Sequence, residues 1–244
     1  MSGLICAICP TCNRPELLGR AIRAFEMQTY ENRFLIIVDD LGQYKNQKGD
    51  RWQLVSFPRR IMSLGEKNNV CAALAPRETW AYAKWDDDDI YLPWHLEATV
   101  EALTRGPFCQ PRHAIDYWDG EWVVVETYNR RDPKRFCYHG CWGYTRELFS
   151  SVGGYRNHYA GDDGPFQDSL IRKGVRSVDT SPNFKPSYIY NRPLANRISE
   201  IGGDADSYWG MSGDNPSYIG TVPEWQDDSI WYRDVPIKVI RRPW

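Results

Sequence analysis

The sequence predicts an α/β fold: a mostly parallel central sheet flanked by helices, with a small antiparallel element to one side and an irregular C-terminal tail. Three observations predict it. Through about residue 105, apolar runs of strand length alternate with stretches of helical periodicity, the pattern of a doubly wound sheet. Two acidic clusters, Asp39-Asp40 and Asp86 to Asp89, directly follow two of those runs, and ligands bind such sheets at the carboxyl ends of strands. Beyond residue 105 the pattern turns to hairpin signals, and after Pro182 to a stretch rich in Gly, Pro, Asn, Tyr and Trp.

The elements follow in order. Leu4 to Cys9 is an apolar strand. Asn13 is placed to cap a helix whose first turn holds Pro15 and Glu16, and Leu17, Leu18, Ala21, Ile22 and Phe25 recur at helical spacing. Arg33 to Val38 is a second strand and Leu41 to Asp50 a polar loop. Trp52 to Phe57 is a third strand, Gly65 to Leu74 a helix stopped by Pro76, and Thr79 to Trp85 a fourth strand running into the aspartates. Pro93 opens a helix through about Leu103. Ala114 to Trp118 and Glu121 to Thr127 flank Asp119-Gly120, a two-residue hairpin signal. Phe136 to Tyr144 reads as a strand, Thr145 to Ser151 as a short helix closed by Gly153-Gly154, and Asp163 to Lys173 as a helix ending at Gly174. Val175 to Asp179, Ser187 to Tyr190 and Ile237 to Ile240 read as strands.

Composition narrows the function. The chain has 244 residues, 42% of them hydrophobic, enough for one sizeable domain with a core. The formal net charge of -2 gives no global field to attract nucleic acid or an anionic membrane, although Arg130, Arg131, Lys134 and Arg135 form a local basic run. Met1 to Ile8 lacks the basic and apolar regions of a signal peptide, and no stretch has the length of a membrane span. Seven cysteines, an odd number, suit reduced thiols and a cytoplasmic location. Cys6, Cys9 and Cys12 begin inside an apolar strand, which favours buried thiols over a metal cluster.

Four adjacent aspartates after an apolar strand repel one another, and a divalent cation relieves the repulsion. Mg²⁺ and Mn²⁺ prefer carboxylate oxygens, commonly one or two of them plus substrate phosphates. The alternative is a solvated acidic turn. Asp39 and Asp40 stand where a carboxylate accepts from a ribose hydroxyl or base N–H, or else caps a turn. Lys67 and Asn68, after Gly65, are placed to meet phosphate or the acidic strand ends. Asp162 and Asp163 precede a helix, where one carboxylate suffices as a cap and one is spare. The four histidines have no metal-ligand spacing, and neither a nucleophile elbow nor a P-loop occurs.

Over about residues 4 to 180 these motifs together resemble family-2 glycosyltransferases of the GT-A (Rossmann-like) fold. The family's opening "P-T-x-N-R" turn and "Q-T-Y" are matched by Pro10-Thr11-Cys12-Asn13-Arg14 and Gln28-Thr29-Tyr30. Its paired aspartates are matched by Asp39-Asp40, its "A-R-N" helix by Glu66-Lys67-Asn68, with Lys67 for Arg, and its "D-x-D-D" by Asp86 to Asp89 before Pro93. Its "G-G-F/Y" and "E-D" are matched by Gly153-Gly154-Tyr155 and Asp162-Asp163, with Asp for Glu, whereas no His stands in the C-terminal segment Tyr188 to Ser199.

The resemblance implies a metal-dependent transfer of a sugar from a UDP-sugar, with Mn²⁺ or Mg²⁺ as cofactor. Pro10, Thr11, Asn13, Arg14, Asp39, Asp40, Lys67, Asn68, Asp86 and Asp87 would line the nucleotide-sugar site, with Thr11 and Asp39 at the uridine. Asp86 and Asp88 would meet the metal. Asp163 would be the base of an inverting transfer, with Asp162 as the fallback. Residues 1–182 would be the catalytic domain, its nucleotide-sugar half about 1–105 and its acceptor half about 106–182. Residues 183–244 would pack on or close over the site, with Trp209 and Trp225 as candidates to cover the donor. The acceptor stays open: glycan, lipid-linked, protein, small molecule or modified nucleic acid. Rival readings are a nucleotidyltransferase, which would carry a glycine-rich phosphate loop near the N-terminus, and a non-catalytic sugar-nucleotide or calcium-binding module.

Overall fold

The structure, a computed structural model, describes residues 3–118, 121–127, 138–157, 163–181, 186–190 and 238–239. The Asp119-Gly120 turn, the basic run at 130–135, Asp162, and Trp209 and Trp225 lie outside the described residues.

The strands and helices run β1 (Leu4–Thr11), α1 (Pro15–Glu26), β2 (Arg33–Asp39), β3 (Gln47–Lys48), β4 (Trp52–Ser56), α2 (Leu64–Leu74), β5 (Thr79–Lys84), β6 (Ile90–Tyr91), α3 (His95–Leu103), β7 (Phe108–Gln110), β8 (His113–Trp118), β9 (Glu121–Glu126), β10 (Gly143–Thr145), α4 (Arg146–Ser151), α5 (Asp163–Arg172), β11 (Val178–Asp179), β12 (Tyr188–Tyr190) and β13 (Lys238–Val239). The larger sheet has eight strands in the order β11-β7-β10-β5-β1-β2-β4-β3. β1 lies at its centre, parallel to both β2 and β5, and β2 is parallel to β4. The register sets Thr11 beside Asp39 and Asp39 beside Ser56, so the carboxyl ends of these strands share one edge. The expected mostly parallel sheet is observed. A second sheet, ordered β13-β9-β8-β12-β6, contains the expected β8–β9 hairpin pair.

β1 is apolar because it is covered on both faces: Ile5, Cys6, Ala7, Ile8 and Cys9 are fully buried. α1 presents Leu18, Ala21 and Phe25 to the core, each large side chain adding roughly 1.5–3 kcal/mol by burial. The Gln28-Thr29-Tyr30 motif proves to be a clamp. Gln28 Nε2 donates to the carbonyls of Ala24 and Leu92, and its Oε1 accepts from Leu96 N–H, tying α1 to β6 and α3. Thr29 Oγ1 donates to Glu97 at 2.8 Å, and the Tyr30 hydroxyl donates to the Gly3 carbonyl at 2.9 Å.

Two local expectations are corrected. Asn13 does not cap α1: it sits in the left-handed region at φ 53°, and Arg14 occupies the cap position with no side-chain cap bond. Asparagine tolerates that conformation, and the turn aims the Arg14 side chain back at the aspartates. Of the strand expected over 136–144, the described residues from 138 onward form instead a 3-10 turn at His139–Cys141 followed by β10, entered through Tyr138 at φ 57°. β10 runs antiparallel between β5 and β7. Among the described residues, no helix is long and apolar enough to cross a membrane.

Candidate functional site

The carboxyl edge of β1, β2 and β5 collects the predicted residues. Pro10 and Thr11 end β1, Asp39 ends β2, and the aspartate run follows Lys84 at the end of β5. Thr11 Oγ1 donates to Asp87 Oδ2 at 2.6 Å. Arg14 Nη1 donates to Asp87 Oδ1 and Asp88 Oδ2, both at 2.9 Å. Lys84 Nζ pairs with Asp86 Oδ1 at 2.7 Å and donates to Asn68 Oδ1 at 2.9 Å. The Tyr188 hydroxyl donates to Asp89 Oδ2. The Asp86 side chain is 28% exposed, against 4% for Asp87 and 6% for Asp88, so Asp86 is the most open of these three.

The neighbouring residues of the site have mainly tethering contacts. Asp40 Oδ1 accepts from Lys67 Nζ at 2.6 Å and pairs with Arg60 at 3.3 Å, while Asp40 Oδ2 accepts from Ile61 N–H. Lys67 Nζ also donates to the Thr11 carbonyl, stitching α2 to the ends of β1 and β2. Lys67 thus meets the acidic strand ends, one of its two expected roles, while Asn68 Oδ1 accepts from Lys84. Asp39 is fully buried and accepts from Ser56 Oγ at 2.6 Å and, at longer range, from Leu41 N–H and from Gln43. It organises the loop after β2.

Residues that sequence reasoning did not single out complete the site. Tyr91 stacks on Trp85 with centroids 3.8 Å apart. Its hydroxyl accepts from Asp86 N–H at 2.7 Å and donates to the Gly140 carbonyl at 2.9 Å. A methyl group on Gly140 would lie 2.6 Å from Asp89 Oδ2, 2.7 Å from Asp86 Oδ2 and 2.8 Å from the Tyr188 hydroxyl. The His139–Cys141 turn therefore closes on the aspartates at van der Waals limits. From it His139 Nε2 bonds the Tyr155 hydroxyl at 2.8 Å, which bonds the Tyr144 hydroxyl at 3.0 Å. Tyr155 stacks on Phe166 of α5 at 4.4 Å, which links the aspartates to the helix that Asp163 opens. Asp163 Oδ1 accepts from Gly164 N–H at 2.9 Å. Sequence signals did exist for some of these residues: a lysine closing an apolar strand, and glycines inside a predicted one.

The charges are unevenly balanced. Burial pushes the Asp88 carboxyl up to about 7, reinforced by Asp87 and opposed by Arg14. Burial likewise raises Asp87. Burial also works to raise Asp86, but Lys84, His139 and Arg14 outweigh it and hold that carboxyl below its ordinary value. Among the described residues no group of three His, Cys, Asp or Glu side chains is disposed to hold a metal ion. A hard dication beside a diphosphate needs only one or two protein carboxylates. Asp86, Asp87 and Asp88 face Lys84 and Arg14, and the negative charge that remains once a diphosphate is added is what such an ion would offset. Carboxylate oxygens are the donors that Mn²⁺ and Mg²⁺ prefer, and Asp86 and Asp88 are the residues that would hold such an ion.

No protein-family model matches the sequence, and no curated protein matches it. Solved structures do match in fold. S. aureus TarS in complex with UDP-GlcNAc superposes with a TM-score of 0.61 at 14% identity, over 77% of this chain and 58% of that one. GalNAc-T7 with UDP, GalNAc and Mn²⁺ gives 0.56 at 13% identity, over 77% and 44%. The mannosyltransferase PcManGT from Pyrobaculum calidifontis, in complex with GDP-Man and Mn²⁺, gives 0.54 at 16% identity, over 78% and 57%. The chain spans less than two thirds of the length of each. The fold shared with these proteins is the GT-A fold.

Proposed function

We propose that the chain is a glycosyltransferase that moves a sugar from a UDP-sugar to an acceptor hydroxyl with Mn²⁺ or Mg²⁺ as cofactor. The observation that carries this is the convergence of Thr11, Arg14, Asp86, Asp87 and Asp88 at the carboxyl edge of β1 and β5. The fold shared with sugar-nucleotide complexes supports it. Pro10, Thr11 and Asp39 border the uridine side. Arg14, already held by Asp87 and Asp88, offers its remaining N–H groups to diphosphate oxygens. A dication held by Asp86 and Asp88 would neutralise charge on the departing nucleotide.

The transfer forms a bond from the acceptor oxygen to the anomeric carbon and breaks the bond from that carbon to the phosphate oxygen. UDP leaves with the bonding electrons. The acceptor proton goes to Asp163, which reads as the base of an inverting reaction. Its helix packs through Phe166 and Tyr155 against the turn beside the aspartates. Asp162 is the alternative base. Residues 1–182 are read as the catalytic unit, with 1–105 serving the donor and 106–182 the acceptor. For residues 183–244, β12 and β13 both join the smaller sheet, and Tyr188 reaches Asp89. These contacts support an extension packed against the site.

Calorimetric titration with UDP and UDP-sugars, in Mn²⁺ and in chelator, tests the reading. UDP should bind, and Asp88→Asn should weaken binding in Mn²⁺ far more than in chelator. Equal affinity of the intact protein with and without metal would remove the metal from the reading, and no nucleotide binding at all would remove the donor.

A further inference from the structure

Lys84 is the one member of the aspartate network whose presence the fold does not explain. It closes β5, its side chain is 1% exposed, and its partner in register on β1 is the apolar Ile8. The preceding residue of the strand, Ala83, is buried, and Trp85 after it is buried too. An apolar side chain would continue this core, whereas an ammonium taken out of water is costly unless paired. Lys84 is paired twice, with Asn68 Oδ1 at 2.9 Å and Asp86 Oδ1 at 2.7 Å. It therefore stands on the buried side of the most exposed carboxylate of the Asp86–Asp88 run.

We infer that Lys84 is a resident counter-ion of the donor site, a fixed single charge that keeps a free divalent cation off Asp86 until a nucleotide diphosphate brings its own negative charge. The inference rests on the donor reading above. An ammonium held 2.7 Å from one oxygen of Asp86 repels any cation approaching the same carboxylate. Arg14 does the same at Asp87 and Asp88. With both in place the aspartate cluster is partly neutralised, and metal alone gains little there. The phosphates reverse the balance, so metal and nucleotide strengthen each other's binding by the same factor. Lys84 is thus a positioning residue: it orients Asp86 and sets when the metal enters.

The test is calorimetric titration of Mn²⁺ alone, and of Mn²⁺ with UDP present, on the full chain and on Lys84→Met. UDP should tighten Mn²⁺ binding to the native protein by about tenfold or more. Lys84→Met should bind Mn²⁺ alone about tenfold more tightly than the native protein and lose most of the coupling to UDP. A merely structural lysine predicts the opposite sign, because loosening the site weakens a ligand. A folded Lys84→Met with unchanged or weaker Mn²⁺ affinity overturns the inference. If circular dichroism shows that this variant does not fold, Lys84→Gln, which keeps an N–H donor for Asn68, carries the same expectation. The native protein supplies an independent check, since Mn²⁺ and UDP binding without coupling also overturns it. A native protein that binds neither Mn²⁺ nor UDP sinks the donor reading itself, a separate result.

Discussion

At the scale of single residues, the site is built with little spare room. Gly140 is required for space, not for backbone freedom: an added methyl would lie under 3 Å from two aspartate oxygens and a tyrosine hydroxyl. Overpacking of this kind costs about 1–3 kcal/mol. Here it would fall on the carboxylates, so Gly140→Ala should lower UDP affinity by about tenfold, read by calorimetry, while circular dichroism stays native. Native affinity in that variant would show the turn yielding without disturbing the aspartates. Asp163 is the complementary case, a carboxylate whose recorded contact is with its own helix start. Asp163→Asn keeps shape and capping ability. It should bind UDP normally yet transfer sugar about a hundredfold to ten-thousandfold more slowly. Near-native turnover would take Asp163 out of the mechanism.

At the scale of elements, α2 ties the central sheet to the turn that follows α4. Asn69 Nδ2 donates to the Tyr155 carbonyl at 2.8 Å, and Asn69 Oδ1 accepts from Tyr155 N–H at 2.9 Å. One side chain thus satisfies both polar backbone groups of the residue after the paired glycines, of which Gly154 adopts φ 70°. Asn69→Ala leaves these groups without that partner, at about 1–3 kcal/mol. The urea midpoint should fall accordingly, and an unchanged midpoint would mean that the turn docks without the clamp. The elements that the sequence predicted well carry a clear local signal, an apolar run for β1, β2 and β5, helical spacing for α1 and the Pro76 stop for α2, and each appears within a few residues of its expected bounds. What stayed hidden was set by distant partners. β6 and β7 are two and three residues long, too short for a period to register. The turn at His139–Cys141 depends on Tyr138 in a left-handed conformation that tyrosine rarely takes. The aspartate cluster was legible because four like charges in a row demand an explanation. The contact of Lys84 with Asp86 was not, since a lysine closing an apolar strand does not by itself say that its side chain turns inward.

At the scale of the whole molecule, one buried imidazole sets an acid limit. His95 is fully buried, its Nδ1 bonds Ser187 at 3.0 Å, and among the described residues its Nε2 has no hydrogen-bond partner. Burial pushes its pKa down to about 3. The folded state thus refuses a proton that the unfolded chain accepts below about 6.5. The contribution of His95 to stability is fully present above that pH and declines as pH falls toward 3, by about 1.4 kcal/mol for each pH unit, while Asp88, pushed up to about 7, contributes in the opposite sense over the upper part of that range. His95→Phe should flatten this slope between pH 6 and 4 in urea melts, and an undiminished slope would assign it to other groups. The placement of β10 carries a consequence of another kind. Among the described residues, the flank of β5 that faces β7 is closed by residues 143–145. During synthesis, β1, β2, β4 and β5 can assemble first, leaving β5 as an exposed edge that ends in the aspartates. That edge invites pairing with other chains until the later segment arrives. The Lys84–Asp86 pair sits at the tip of this edge, so a nascent chain stalled at this point would expose its charged apparatus before the turn of Gly140 can cover it.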